Sequence, residues 1–350
     1  MRRFTYKSRD GPVEVLVGVD YNDALREITK RYTGCASFIS ASIFNRVSTG
    51  CLSMPINDGE GGKSIETALN IIRWAYDNGI DRDGLFIGVG GGSVLDVVGF
   101  SASIYLRGVD YVNVPSTMLS MVDAALGGKT GVNAAGMKNV IGVIRQPRSI
   151  IVDLSFLRSL PRSNYVDGFA EVIKYGITMD GELLNYVVGH RDELMEMRED
   201  VLEEVVYRSL INKAGVVERD ELDRAGVRAV LNYGHTVGHA IESATNFSVS
   251  HGRAVALGMI CESKIGVKLG YTPKDVPEIL LSHLESFGLI TDIRINGIAD
   301  RLAAAIVRDK KRSGDYLRLP VVTDIGRWEL VKVDARDFID LVVRECGSTP

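Results

Sequence analysis

The sequence predicts an α/β N-terminal domain with a mainly parallel sheet, followed by a mostly α-helical C-terminal domain. Three observations carry that expectation. Short β-branched runs alternate with amphipathic stretches up to about Leu154, the rhythm of βαβ units. Beyond that point the strand signals nearly stop and helical spacing takes over. One buried strand also runs straight into a glycine turn and a helix, the usual entry to a nucleotide site. The division expected is 1–154 and 155–350, with ligand sites favoured in the cleft between two such domains.

The elements follow in order. Val13–Val17 is a β-branched run. Ala24–Arg31 reads as a helix with Asn22 and Asp23 as N-caps. Cys35–Ser40 reads as a strand. Ser64–Asn78 has helical spacing, with Ile65, Ala68, Leu69, Ile72 and Tyr76 on one face. Leu85–Val89, Tyr111–Val114 and Ile150–Val152 are further strands. After Leu154, helices are expected at Gly168–Thr178, Leu202–Arg219, Arg228–Thr245, Arg253–Leu269 and Pro277–Phe287. A hairpin is expected within Leu317–Val333, turning at Asp324-Ile325-Gly326.

Composition narrows the class. With 350 residues, 45% hydrophobic and 25% charged, the chain can bury a large core. A net charge of -4 provides no global basic field for nucleic acid. No apolar run reaches the roughly 20 residues a bilayer span needs. The start, MRRFTYKSRDG, lacks an apolar h-region, so no secretory signal is expected. Cys35, Cys51, Cys261 and Cys346 form no C-x-x-C pair and read as reduced, mostly buried thiols of a cytoplasmic protein.

The glycine turn is Gly90-Gly91-Gly92-Ser93, with a helix expected from about Val94 and Asp96 one turn in. Glycines there let backbone N–H groups approach a diphosphate, and the helix N-terminus adds partial positive charge. The G-x-G-x-x-G fingerprint is incomplete, because Ser93 stands at its last position. The loop Asp58-Gly59-Glu60-Gly61-Gly62-Lys63 precedes another helix, and Glu60 and Lys63 suit ribose hydroxyls and an adenine edge. By itself it reads as an ordinary charged loop.

A metal centre is suggested further on. Glu171, Lys174 and Thr178 share one stripe of their helix at i, i+3 and i+7. Arg228, Asn232, His235, His239 and Glu242 recur at spacings of 4, 3, 4 and 3, a polar stripe along a single helix. Three of the chain's five histidines are His235, His239 and His251. His-x-x-x-His is a usable metal-ligand spacing. The zinc-peptidase motif is absent, since Thr236 follows His235, so peptidase chemistry lacks its base. Gly127-Gly128-Lys129-Thr130-Gly131-Val132-Asn133 has the composition of a phosphate loop without its spacing. Lys129, Lys138, Lys174, Lys213 and Arg228 could converge on one anionic substrate.

Together these stretches closely resemble the 3-dehydroquinate synthase family. The resemblance rests on DGEGGKS at 58–64, GGGSVLDVVGF at 90–100, VPSTMLSMVDAALGGKTGVN at 114–133, GMKNVIG at 136–142 and QPRSIIVDLSFLRSLP at 146–161. It continues with GFAEVIKYG at 168–176, RAVLNYGHTVGHAIE at 228–242, HGRAVALGM at 251–259 and DKK at 309–311. It implies that Glu171, His235 and His251 ligate one divalent metal ion, zinc or cobalt. It places NAD among Asp58, Glu60, Lys63, Gly91, Gly92, Ser93, Asp96, Ser116, Thr117, Phe156 and Ser159, with Asp123, Lys129 and Lys138 beside it. It surrounds a small anionic sugar phosphate with Lys129, Lys138, Asn139, Lys174, Lys213, Arg228, Asn232, His239 and one lysine of Lys310-Lys311. Arg107 would meet the phosphate, across the interface of a homodimer. This sequence departs from the family at Ser116, Ser159 and Ala134, and it lacks the Asp or Asn that often follows the strand Cys35–Ser40.

The implied reaction turns 3-deoxy-D-arabino-heptulosonate 7-phosphate into 3-dehydroquinate and phosphate. It proceeds by transient oxidation with NAD, phosphate elimination, re-reduction and aldol closure, with His239 relaying a proton. Three other readings are open on the residues alone. One is a different cyclase on the same scaffold. Another is a metal- and NAD(P)-dependent polyol dehydrogenase, against which the lysine-rich pocket argues. The third is a non-enzymatic binding module, against which the many acid, base and ligand groups at usable spacing argue.

Overall fold

A computed structural model describes residues 1–246, 248–290 and 316–346. Lys310 and Lys311 lie outside them. The chain divides into two compact units, Met1–Pro161 with Met197–Leu222, and Arg162–Glu196 with Asp223–Pro350. The first unit takes back a long helix that a single cut at 154 assigns to the second.

The first unit is built on strands β1 (Arg2–Ser8), β2 (Gly11–Val17), β3 (Cys35–Ser40), β4 (Leu52–Ile56), β5 (Leu85–Gly90), β6 (Asp110–Pro115) and β9 (Ser149–Val152). Helices α1 (Tyr21–Thr29), α2 (Ile65–Asp77) and α3 (Gly92–Ile104) connect them, and β7 (Lys129–Ala134) and β8 (Met137–Ile144) form a separate hairpin. The sheet order is β1-β2-β9-β6-β5-β3-β4. Only β1 runs antiparallel to its neighbour. β5 is buried along its whole length, as a central parallel strand covered on both faces must be.

The second unit holds α4 (Arg162–Asp167), α5 (Phe169–Thr178), α6 (Gly181–Gly189) and α7 (Arg191–Met195). The long helix α8 (Glu199–Arg219) returns to the first unit. The second unit then continues with α9 (His235–Ala244), α10 (His251–Lys268) and α11 (Val276–Ser286), the hairpin β10 (Tyr316–Asp324) and β11 (Arg327–Asp334), and α12 (Ala335–Cys346). No helix among the described residues is long and apolar enough to cross a membrane.

Several expectations need correction. Asp20, not Asn22 or Asp23, caps α1, accepting from the backbone N–H of both those residues. On α2 the buried face is Ala68, Ile71 and Ala75, while Leu69 and Tyr76 are exposed. That face packs two alanines and one isoleucine against α3, which is apolar nearly all round. The four cysteines are not thiols. Cys35 pairs with Cys51 and Cys261 with Cys346, each with Cα atoms 5.3 Å apart. The first pair follows from register: β3 and β4 run parallel with Ala36 opposite Leu52, so the residues just before them lie side by side. The second joins α10 to the end of α12 inside one apolar core. Neither juxtaposition leaves a local spacing to read. The expected helix Arg228–Thr245 is two pieces, a 3-10 turn Val227–Asn232 and α9, broken at Gly234.

Candidate active site

Helix α5 carries Glu171 and Lys174 one turn apart, the arrangement of a weak surface pair. Here both are buried, at 0% and 1% exposed. Lys174 Nζ donates to Glu171 Oε2 and to the carbonyl of Leu231, the latter at 2.7 Å. An uncompensated buried ammonium or carboxylate is strongly unfavourable, so the two hold each other in place. Glu171 Oε1, also buried, accepts no hydrogen bond.

That oxygen faces two imidazoles. His235 Nε2 lies 3.4 Å away and His251 Nε2 3.8 Å away. The three donor atoms fall within 4.8 Å of one another. Each ring is held from behind. His235 Nδ1 is 3.2 Å from the Tyr233 carbonyl, and His251 Nδ1 is 3.6 Å from Glu242 Oε1. A carbonyl or carboxylate behind a ring fixes its tautomer and turns the other nitrogen forward. The orphaned oxygen and two oriented imidazoles fit a divalent metal ion with one oxygen and two nitrogen ligands, leaving coordination positions open.

The electrostatics agree. Burial alone would raise the Glu171 carboxyl, yet Lys174 and the two imidazoles hold it well below the ordinary range. Burial drives His235 down to about 3. Burial also acts to lower His251, but the carboxylates of Glu171 and Glu242 hold it up at about 10.

Two helix starts bring the histidines together. His235 is the first residue of α9 and His251 the first of α10. Gly234 has φ of 80°, and a Cβ there would come within 2.8 Å of the Val255 carbonyl. The break it makes ends the expected continuous polar stripe. His239 is exposed on α9, its ring 5.4 Å from that of His235, and it groups instead with Glu242 and His251. Arg228 is buried and Asn232 exposed in the 3-10 turn before the break. Sequence reasoning missed Glu262, a buried carboxylate that contacts the same helix start. On sequence it passes for one more helical glutamate, and the available signal was its place four residues after Gly258.

In the first unit the expected cofactor residues cluster at the carboxyl ends of the parallel strands, where open α/β sheets bind ligands. Gly91 is the N-cap of α3 and contributes no side-chain cap. Gly90 and Pro115 are in register, and Ser116 N donates to the Gly90 carbonyl at 2.9 Å, so Ser116 and Thr117 lie beside the glycine turn. Lys63 is buried and paired with Asp96 at 2.5 Å, so it belongs to the frame more than to an adenine edge. Burial pushes the Asp96 carboxyl up to about 6 against the pull of Lys63. Glu60 accepts from Asn133 at 2.7 Å, tying the loop to the β7–β8 hairpin. Asp58 accepts from the Ser40 hydroxyl and from Ser42 N, which puts a carboxylate at the end of β3 although none follows that strand in sequence. Phe156 and Ser159 lie in the turn after β9, Phe156 against Tyr21.

The basic residues divide. Lys213 on α8 is buried and bound to Asp123, at 2.7 Å to its carboxylate. Lys129, Lys138 and Asn139 are exposed on the β7–β8 hairpin, so the glycine-rich run is a strand and not a phosphate loop. Lys129 and Asn139 line a cavity of about 450 Å³ with Asp96. Arg107 lies on another wall, lining a cavity of about 510 Å³ with Arg9, Arg145 and Arg148.

Residues 53–167 match the family described as 3-dehydroquinate synthase N-terminal, and 168–312 the one described as 3-dehydroquinate synthase C-terminal. The chain is 43% identical over 328 residues to a 3-dehydroquinate synthase of Sulfurisphaera tokodaii, covering 92% of this chain and 93% of that protein. It is 40% identical over 354 residues to the one of Pyrobaculum neutrophilum, covering 99% and 100%. Among solved structures it is similar to 2-deoxy-scyllo-inosose synthase complexed with carbaglucose-6-phosphate, NAD+ and Co2+, with a TM-score of 0.83, 21% identity and coverage of 98% and 100%. It is also similar to 2-epi-5-epi-valiolone synthase from Streptomyces hygroscopicus with NAD+ and Zn2+ bound, with a TM-score of 0.81, 23% identity and coverage of 95% of each chain. At those identities the structural likeness is one of fold.

Proposed function

The chain belongs to the 3-dehydroquinate synthase family and forms 3-dehydroquinate; we propose that it does so as an NAD- and metal-dependent lyase acting on 3-deoxy-D-arabino-heptulosonate 7-phosphate. The observation that carries the proposal is the orphaned, buried Glu171 Oε1 facing His235 Nε2 and His251 Nε2. When bound, NAD would supply reversible hydride transfer and the metal ion Lewis acidity toward substrate oxygens.

The chain's own residues do the rest. Glu171, His235 and His251 hold the metal. Glu242 and the Tyr233 carbonyl keep the two imidazoles turned toward it. Lys174 neutralises Glu171 and keeps that carboxylate ionised within a dry pocket. The uncapped start of α3, with Gly91, Gly92 and Ser93, receives the cofactor diphosphate, and Asp58, Ser116, Thr117, Phe156 and Ser159 frame the rest of it. Lys129, Lys138, Asn139, Arg228 and Asn232 are assigned to the anionic groups of the substrate, and Arg107 to its phosphate from a second copy in a homodimer. Exposed His239 relays a proton to and from a substrate hydroxyl. Lys213 acts through Asp123, since the two are already bound to each other.

The enzyme is assigned to the cytoplasm. Most cytosols reduce disulfides, so thiol labelling of the protein straight from cells tests that assignment together with the two disulfides. The reaction itself is tested with the heptulosonate phosphate and catalytic NAD. Phosphate should be released stoichiometrically, with no net NADH and with 3-dehydroquinate as the product. One NADH per substrate consumed, with phosphate retained on carbon, would replace the cyclase by a dehydrogenase.

A further inference from the structure

We infer that Glu262 is a positioning residue of the metal centre: its carboxylate, reaching from α10, caps the N-terminus of α9 and thereby fixes the backbone that carries His235. The inference rests on the reading that Glu171, His235 and His251 hold a metal ion.

Helix α9 starts without a cap of its own. Its N-cap is Gly234, which has no side chain, so the first N–H groups of the helix need acceptors from elsewhere. Gly234 N donates to Glu262 Oε2 at 2.8 Å and Val237 N donates to Glu262 Oε1 at 3.1 Å. The two oxygens thus hold residues on either side of His235. Glu262 itself is 1% exposed, and among the described residues its partners are backbone N–H groups and no cation. A buried carboxylate is costly unless its hydrogen bonds are satisfied, and a helix N-terminus, with its aligned dipoles, satisfies them.

Close packing of α9 on α10 makes the reach possible. A Cβ on Gly258 would collide with the Gly234 carbonyl, and one on Gly238 would sit 3.1 Å from the Ala254 carbonyl. Glu262 follows Gly258 by one helical turn, so the glycine contact sets it opposite the α9 start. The metal pocket tolerates little drift, because His235 Nε2 stands only 3.4 Å from Glu171 Oε1. Freeing the helix start frees the ligand.

The test measures Zn²⁺ affinity on the full chain by competition with a chromophoric chelator, with the absorption spectrum of the Co²⁺-loaded protein as a second readout. Glu262→Gln keeps one acceptor oxygen where two are needed. It is expected to weaken Zn²⁺ binding by about 10- to 100-fold, as loss of outer-shell support does, and to shift the Co²⁺ bands. Val342→Ala, a core change on α12, should melt at a lower temperature and bind Zn²⁺ like the parent. If Glu262→Gln does not fold, Glu262→Asp is measured in its place, with the same expected weakening. A variant at 262 that melts lower yet binds Zn²⁺ as the parent does overturns the inference and leaves the metal reading intact. A parent protein that binds no Zn²⁺ overturns both.

Discussion

Two helices of this protein begin in the same way and end up doing opposite things. Both α3 and α9 open on a glycine N-cap that contributes no side chain, Gly91 in one case and Gly234 in the other. At α9 the N–H groups of Gly234 and Val237, on either side of His235, are taken by Glu262. At α3 no side chain among the described residues caps the turn, and its glycines lie beside Ser116 and Thr117 at the mouth of the sheet. One start is closed by the protein beside the proposed metal ligand His235. The other is the start proposed to receive the cofactor's diphosphate. A glycine before a helix therefore says that a helix start is available, and what stands opposite decides its use.

The largest effect is expected where the closed half is emptied. Glu171→Ala removes a proposed metal ligand and leaves Lys174 buried without its carboxylate. Breaking such a pair costs about 3–5 kcal/mol of stability, so both Zn²⁺ binding and turnover should be lost. Lys174→Met should be similarly destabilised, because its partner is fully buried. Calorimetry showing a melting temperature unchanged in either variant would contradict the buried pair.

Next comes the tether beside Glu262. Cys261 precedes it on α10 and bonds to Cys346, closing a separation of 85 residues. The chain-entropy relation gives roughly 4–5 kcal/mol for a loop of that length and about 3 for the 16-residue separation of Cys35 and Cys51. Cys346→Ser should therefore lower the melting temperature more than Cys51→Ser does. The reverse order in paired thermal melts would show that the second unit does not depend on this tether.

A pH effect separates the two helix starts more finely. Burial raises the Glu262 carboxyl from 4.5 to about 7, partly opposed by its backbone hydrogen bonds. Its folded pKa is thus above its unfolded one. The stability it contributes is fully present below about pH 4.5 and is lost as pH rises through 7, by about 3 kcal/mol at most. In metal-free protein, urea unfolding across that window should show a shallower pH slope for Glu262→Gln than for the parent. Equal slopes would mean that another group carries the titration.

The smallest change makes α3 resemble α9. Ser93→Asp places a carboxylate at the open helix start, which stabilises the helix by about 0.3–1 kcal/mol and competes with the cofactor diphosphate. NAD affinity should fall by about tenfold while the melting temperature holds or rises slightly. Unchanged NAD binding by titration calorimetry would remove the diphosphate from the α3 start.

Much of this was legible in the residues. Strands β2, β3, β5, β6 and β9 announce themselves because parallel strands covered on both faces are runs of apolar and β-branched residues. The hairpin turning at Asp324-Ile325-Gly326 is equally local. The candidate metal ligands came from the family resemblance, and the structure brings Glu171, His235 and His251 together as one group that could hold an ion. Other features had no local signal. The break at Gly234 hides in an amphipathic spacing that runs through it, since a period of 3.6 cannot show where backbone hydrogen bonds stop. The burial of Glu171 and Lys174 is invisible in a sequence pair that elsewhere is a surface ornament.

What the sequence determined by itself is therefore the inventory and the order: which segments are strands or helices, which glycines permit a close turn, and which side chains could bind metal, NAD or an anion. Those follow from short-range sterics and periodicity, which act within a few residues of one another. Only the tertiary structure decided the pairings. It set Cys35 beside Cys51, Asp58 beside Ser40, Lys63 against Asp96 and Glu262 over the start of α9. Each of these joins residues from different elements, and their meeting is fixed by strand register and by helix packing at glycines, which no single segment encodes.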